Sequence, residues 1–368
     1  MRTRRIDELG TVVGGATPLT NDSTNWDGDV PWIRPKDLAN HRKRYISHGS
    51  RNISRKGYDS CSTSYLPKGS ILFSSRAPIG YIAIADNPLC TNQGFKSIIP
   101  NDNVDSLFLY YLLKEKRGYI ESRGSGTTFK EVSAAVMKSI EIEIPESIEE
   151  QRKIATVLDA IDSKIELSNQ INDYLFDAMR ANFKRLFSRQ SENAGSIYDI
   201  AEVVYGAAFS SSLFNEAGEG FPLIRIRDLT TFDPQFYTTE DHPKRTVIHP
   251  GDVVAGMDAE FTPTFWLGDI AVLNQRVCHF APPRDSEVTP SYLLFALEPL
   301  LQFIQNYATG TTVAHLGKSD LEALEVGIPD DDSLKQFAVI AEPMRWQIVQ
   351  NAIENRSLSE LRDVLLPK

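Results

Sequence analysis

Gly126-Thr127-Thr128, followed by Glu141-Ile142-Glu143-Ile144-Pro145, returns 184 residues further on as Gly310-Thr311-Thr312, followed by Glu325-Val326-Gly327-Ile328-Pro329. Working outward, Asn92-Gln93 returns as Asn274-Gln275 and Leu66-Pro67-Lys68-Gly69 as Ile248-His249-Pro250-Gly251, both 182 residues on. Pro31-Trp32-Ile33-Arg34 with Asp37-Leu38 returns as Pro222-Leu223-Ile224-Arg225 with Asp228-Leu229. Val12-Val13 with Gly15 returns as Val203-Val204 with Gly206, and these two pairs share an offset of 191. Anchors kept in one order, with the drift confined to the intervals between them, define one module written twice. On this reading the chain divides into a globular domain at 1–145, a long helix at 146–190, a second domain at 191–330 and a second long helix at 331–368.

Each domain is rich in short strands separated by turn signals. Ser70–Ser75 and Tyr81–Ala85 read as strands, with Pro67-Lys68-Gly69 and Pro78-Ile79-Gly80 as turns, and Asp252–Ala255 and Asp269–Leu273 are their counterparts. A helix is expected near Val104–Arg117, where Leu107, Phe108, Tyr111 and Leu112 share a face, with its copy near Pro290–Phe303. Helices among short strands give an α+β class. After Pro145 the pattern runs to about Arg189 without Gly or Pro, and Ile154, Leu158, Ile161, Ile165, Leu175, Met179 and Leu186 recur at spacings of threes and fours. Polar Ser168 and Asn172 fall on that stripe, as in a coiled-coil seam. The second helix carries Ile348, Ile353, Leu358, Leu361, Val364 and Leu365, and Pro343 is expected to kink or restart it. Two one-sided helices are expected to pack antiparallel, as a coiled coil between two pseudo-repeated domains.

Net charge is −10, but it is unevenly placed: 1–145 carries +5 and 191–330 carries −13. A polyanion partner suits the first domain, and local cationic patches would be needed in the second. Met1-Arg-Thr-Arg-Arg5 runs into Ile6-Asp7-Glu8-Leu9 instead of an apolar stretch, so neither a signal peptide nor a membrane span is expected. Cys61, Cys90 and Cys278 are far apart and read as reduced thiols in a cytoplasmic protein. There is no Asn-Pro-Pro-aromatic or Asp-Pro-Pro-aromatic run to hold a target amine. The glycines of Gly310…Gly317-Lys318-Ser319 are too far apart for a phosphate-binding loop, and the six histidines lack metal-ligand spacing. Asp330-Asp331-Asp332 is best read as the acidic start of a helix.

The order of domain, long helix, domain, long helix resembles the DNA-specificity (S) subunit of Type I restriction-modification systems. The wording also resembles that family at Gly28–Leu38, at Arg76–Gly80, at Ile144-Pro145 with Glu150–Ile154, at Leu273–Cys278 and at Leu361–Lys368, with Pro343 as a departure from its pattern. The resemblance implies two target-recognition domains that each read half of a split double-stranded DNA site. It implies helices that space the half-sites and dock two adenine-methyltransferase subunits, and a separate motor-nuclease subunit. S-adenosylmethionine, ATP and magnesium are expected on those partners, with no cofactor, metal or chemistry on this chain. A recognition subunit of a related methyltransferase-nuclease system, or a coiled-coil scaffold with two protein-binding domains, remains the alternative.

Candidate phosphate or base contacts in the first domain are Arg34, Lys36, Arg42, Lys43, Arg44, Arg51 and Lys56, which are clustered in a polar, turn-rich segment, and Arg76 on a tight turn. The alternatives are a solvated loop and, for Arg76, an ion pair within the domain. In the second domain Arg225, Arg227, Lys244, Arg245 and Arg276 are candidates by scarcity, with Asp258 opposite the Arg76 turn. Residues common to both copies, Asn92 and Gln93, Asn274 and Gln275, Thr127 and Thr128, Thr311 and Thr312, suit scaffold or phosphate contact, because two domains reading different sequences should differ where they read bases. Base readers are expected where the copies diverge, at 39–60, 230–247 and the Arg76 turn against Met257–Phe261. Ile154, Leu158, Ile161, Ile165, Leu175, Met179, Ile348, Leu358 and Leu361 are the candidate helix positions for partner docking.

Overall fold

The computed structural model describes residues 1–39, 41, 43–126, 130–187, 193–308 and 315–367. The chain forms two compact units, Met1–Glu166 with Leu358–Lys368, and Leu167–Ser357. The two long helices span Ile148–Phe187 and Asp331–Leu365, and each contributes residues to both units. The fold is α+β, with the repeat visible in its strand registers. Antiparallel Thr11 faces Ile99 and Val12 faces Ile98 in the first unit; Glu202 faces Ala281 and Val203 faces Phe280 in the second. A parallel pair sets Trp32 beside Cys90 and Ile33 beside Thr91, and its copy sets Leu223 beside Val272 and Ile224 beside Leu273. A terminal pair joins Arg5 to Glu141, and Ser196 to Glu325. All of these match the sequence offsets residue for residue.

Close approach explains the shared glycines. A Cβ on Gly15 would lie 2.0 Å from the Thr91 carbonyl oxygen, and one on Gly206 would lie 2.0 Å from that of Asn274. Any side chain there would push the Asn-Gln loop off the sheet.

In the first unit the five-stranded sheet runs in the order Gly10–Gly14, Lys96–Pro100, Ile71–Ser75, Ile79–Ala85, Tyr45–Ile46. Ile71, Phe73, Ile84 and Ile98 bury one face against the Ser106–Glu115 helix through Phe108, Tyr111 and Leu112. Ala155 and Leu158 of the first long helix and Leu366 after the second close the same core. In the second unit Val253, Ala255 and Phe280 meet Leu293, Leu297 and Leu301 of the Pro290–Ala308 helix, with Met179, Phe337 and Ile348 of the long helices. At roughly 1.5–3 kcal/mol per buried aliphatic or aromatic side chain, these helix residues are integral to each core.

Within the second unit the long helices run antiparallel. Asn351 Nδ2 donates to Asn172 Oδ1 at 2.7 Å and Asn355 Nδ2 to Asn169 Oδ1 at 3.1 Å, so partners advance on one helix as they retreat on the other. Asn172 is one of the two polar positions on the apolar stripe, and the pairing satisfies it; a buried Asn pair fixes register. Within the first unit Arg362 Nη1 donates to Asp162 Oδ1 at 2.9 Å.

The helix does not restart at Pro343: Asp331–Leu365 is one continuous helix through it. A proline removes one intrahelical hydrogen bond, and burial of Leu334, Phe337, Ala341 and Ile348 on either side holds the helix together. The helix begins as expected, with Asp330 Oδ1 accepting the Ser333 N–H at 2.8 Å and its carboxyl held below the usual carboxylate range by that bond. The cysteines are free, and burial pushes the Cys90 thiol up to about 11 and Cys278 up to about 12, which makes both unreactive near neutrality.

Asn351→Leu should lower thermal stability by about 1–3 kcal/mol, because it leaves the Asn172 carbonyl buried without a donor, and Asn172→Leu with Asn351→Leu should recover most of that loss. Calorimetric unfolding of the three chains checks this. Burial lowers the His279 pKa below its ordinary 6.5, His249 lowers it further and Asp252 opposes the shift. The neutral ring is therefore the folded form. Its contribution is full above pH 6.5 and declines as the pH falls from there through the lowered value. The acid side of a stability-against-pH curve should flatten in His279→Gln.

Candidate nucleic-acid interface

The Pro35–Leu38 helix and the segment leading to the Tyr45–Ile46 strand enclose a cleft of about 830 Å³ in the first unit. Lys36, His41, Lys43 and His48 bring positive or titratable groups to it, and Asp37, Asp86 and Glu166 are its carboxylates. Asp37 is committed: its Oδ2 accepts the Arg34 N–H at 2.8 Å and its Oδ1 accepts the Ser50 hydroxyl at 2.7 Å. The Arg34 guanidinium pairs with the same carboxylate at 3.2 Å. Lys36 and Lys43 are exposed, and their side chains make no hydrogen bond or ion pair among the described residues.

Arg44 must be removed from the exposed basic set. Its side chain is 8% exposed and turns inward onto the first long helix. It bonds the Asp159 carboxylate, donates to the Asp159 carbonyl at 2.9 Å and the Ser163 hydroxyl at 2.8 Å, and pairs with Glu166 at 3.3 Å. An arginine has five donors in a fixed fork, and the first long helix, through Asp159, Ser163 and Glu166, takes those on Nη1 and Nη2. A run of basic residues in sequence gave no sign that one of them points the other way.

Several other candidates are tied within their own unit. Arg225 repeats the Arg34 arrangement, with its N–H on Asp228 Oδ2 at 2.9 Å, and lies 4.2 Å from the Phe236 ring centre. Arg51 pairs with Asp27 at 3.0 Å over Trp26, Lys56 with Asp22 at 3.0 Å, and Arg245 with Asp241 at 3.0 Å over Phe221. The Arg51, Lys56 and Arg245 pairs are largely exposed and cost little to exchange for a phosphate, whereas the Arg225–Asp228 pair is largely buried. Asn92 Oδ1 accepts the Gly94 N–H and Asn274 Oδ1 the Gln275 N–H, both at 2.9 Å, and Gln93 bonds Thr17, so the shared Asn-Gln pairs serve the loop. Arg227 and Lys244 are exposed, and among the described residues their side chains make no hydrogen bond or ion pair. Arg76 faces Glu131 at 3.6 Å, while Asp258 faces His315 at 2.7 Å and Arg276 at 3.6 Å. Glu131 and His315 were missed in the sequence, although the offset of 184 aligns them. Arg42, Thr127, Thr128, Thr311 and Thr312 lie outside the described residues.

The helix candidates also need correction. Leu158, Met179 and Ile348 are at most 1% exposed and belong to the unit cores, Ile161 is buried, and Ile154 and Leu175 pack against those cores. Ile165 and Leu358 are half-buried. Of the proposed set only Leu361 is open. The apolar side chains that the helices leave exposed are instead Val157, Leu167, Ile171 and Tyr174 on the first, and Val339, Trp346, Ile353, Leu361, Val364 and Leu365 on the second. Periodicity identifies an apolar stripe but not which part of it the chain's own domains cover.

Two units on one scaffold, differing in surface charge and completed by long helices, define a tandem recognition protein. Among the described residues no group of His, Cys, Asp or Glu is placed to hold a metal, and no helix is long and apolar enough to cross a membrane. The sequence profile of the Type I restriction modification DNA specificity domain matches residues 1–175 and again 193–361. The chain is 34% identical, over 404 aligned positions, to the Type I restriction enzyme MjaIX specificity subunit of Methanocaldococcus jannaschii, covering 99% of this chain and 91% of that one. It is 33% identical over 288 positions to the MjaVIII specificity subunit of the same organism, covering 69% and 65%. The fold is similar to the crystal structure of the S subunit of a Type I restriction-modification system from M. genitalium, with a TM-score of 0.62, 18% identity and coverage of 99% and 94%. The chain belongs to the Type I restriction modification DNA specificity family.

Lys36→Ala with Lys43→Ala should reduce the slope of log binding constant against log salt by about 2, measured on random duplex DNA, if both lysines neutralise phosphates. Arg44→Gln should leave that slope unchanged and lower the melting temperature, because it unclamps the first long helix.

Proposed function

We propose that this chain is the specificity subunit of a restriction-modification complex and reads an asymmetric, split DNA site, one half with each unit. One observation carries the reading: a scaffold repeated register for register, whose surfaces differ in charge from +5 over 1–145 to −13 over 191–330. A duplicated reader with identical surfaces would recognise a repeated sequence; two unlike surfaces fit two unlike half-sites. Half-sites about one helical turn apart would present the same side of the duplex to both.

In this reading the chain contributes sequence choice and its partners contribute chemistry. The exposed apolar side chains of the long helices, with Leu167, Ile171 and Tyr174 at one-turn spacing and Val339, Trp346 and Ile353 at two-turn spacing, are the surface for two adenine-methyltransferase subunits. A motor-nuclease subunit would join that assembly. S-adenosylmethionine would be held by the methyltransferases, and ATP and magnesium would be held away from this chain. The family and the full-length likeness to the MjaIX specificity subunit support the reading.

Methylome sequencing of the host with and without the gene tests it. One adenine-methylation motif of two unlike halves should vanish with the gene, and an unchanged methylome overturns the proposal.

A further inference from the structure

The turn after the Ile71–Ser75 strand and the turn after the Val253–Gly256 strand occupy the same station in their units. Ser75 donates its N–H to the Gly94 carbonyl at 2.7 Å and accepts the Val132 N–H at 3.0 Å; Met257 donates to the Arg276 carbonyl at 2.8 Å and accepts the Leu316 N–H at 2.7 Å. Each partner is the repeat equivalent of the other. The next residue is Arg76 in one unit and Asp258 in the other, and each is followed by an alanine in the left-handed region, Ala77 at φ 53° and Ala259 at φ 65°. That conformation is unfavourable for alanine, and its presence at equivalent positions shows two turns constrained in one way.

On this common backbone the side-chain charge is inverted. The first unit places a cation, Arg76, on the turn against an anion, Glu131, which Lys96 also meets at 3.3 Å. The second places an anion, Asp258, on the turn against His315 and Arg276. Glu131 and His315 each immediately precede the residue whose N–H closes the station. The side chains of Arg76 and Glu131 are each 38% exposed, Asp258 29% and His315 46%, so a ligand can reach both turns. Ion pairs this exposed add little to stability, and the backbone bonds already hold both turns. Structural need therefore does not account for the charges or for their inversion.

We propose that this station reads one base pair in each half-site, Arg76 taking a guanine edge in the first and Asp258 accepting from a cytosine amino group in the second. The inference rests on the DNA-reading function proposed above. A guanidinium matches the paired acceptors O6 and N7 of guanine, and a carboxylate accepts from N4 of cytosine. Glu131 and His315 are positioning residues that hold each reader extended from its turn before DNA arrives.

The test is methylome sequencing of the host carrying the gene unaltered, with Arg76→Gln, with Asp258→Asn, or with the second unit's pair moved into the first as Arg76→Asp with Glu131→His. Arg76→Gln should relax one guanine position in one half-site by roughly tenfold, and Asp258→Asn one position in the other half only. The paired exchange should change the preferred base at the first position from guanine to cytosine. If the unaltered gene writes no motif, the DNA-reading function itself fails. If it writes one and the variants leave both halves unchanged, or reduce methylation evenly at every site, this station does not read bases.

Discussion

The first unit depends on a buried carboxylate. Asp162, on the first long helix, accepts the Tyr111 hydroxyl at 3.0 Å from the domain's own helix and Arg362 at 2.9 Å from the second long helix, with Lys114 at 3.9 Å. One side chain thus joins three elements far apart in sequence. Burial and then Asp162 push the Tyr111 hydroxyl well above its ordinary range, so tyrosine stays a donor. Burial lowers the Lys114 pKa, and Asp162 opposes that. A carboxylate taken from water at this depth is tolerable only with its lone pairs occupied, which makes the geometry of the three elements mutually dependent.

Arg44 extends this dependence to the cleft of the first unit. It leaves the segment that lines the 830 Å³ cleft and grips Asp159, Ser163 and Glu166 on the long helix. The second unit uses the same device from the helix side. Arg345, 8% exposed, donates to the Gly251 carbonyl at 3.2 Å, and Arg356 reaches Asp269 at 2.8 Å and the Leu267 carbonyl. Each domain is therefore fixed to the helices by arginines as well as by apolar contact. Such bonds are directional where apolar packing is not, and they set the orientation of each domain on the helix segments of its own unit.

Duplication then separates what is common from what is particular. Sheet registers, the Gly15 and Gly206 approaches, the Arg34–Asp37 and Arg225–Asp228 pairs and the two strained turns are scaffold. The charge on those turns, and the balance of acids and bases around them, differ between the copies. One architecture used twice can keep its backbone and vary only what the backbone presents.

The sequence by itself determined the repeat, the α+β class, the long helices and the family, because each is carried by local pattern: anchors at constant offsets, strand alternation and a three-four apolar stripe. It also placed Ser168 and Asn172 on a helix seam, as polar positions within an apolar stripe. It did not reveal that Leu158, Met179 and Ile348 are sealed inside the units while Tyr174 and Trp346 are open. It did not reveal that Arg44 points inward beside an outward Lys43, that Pro343 leaves its helix unbroken, or that Arg76 meets Glu131 where Asp258 meets His315. Those are pairings across tens to hundreds of residues. A side chain's direction and its partner are set by which elements converge on it in space, and no local pattern encodes that.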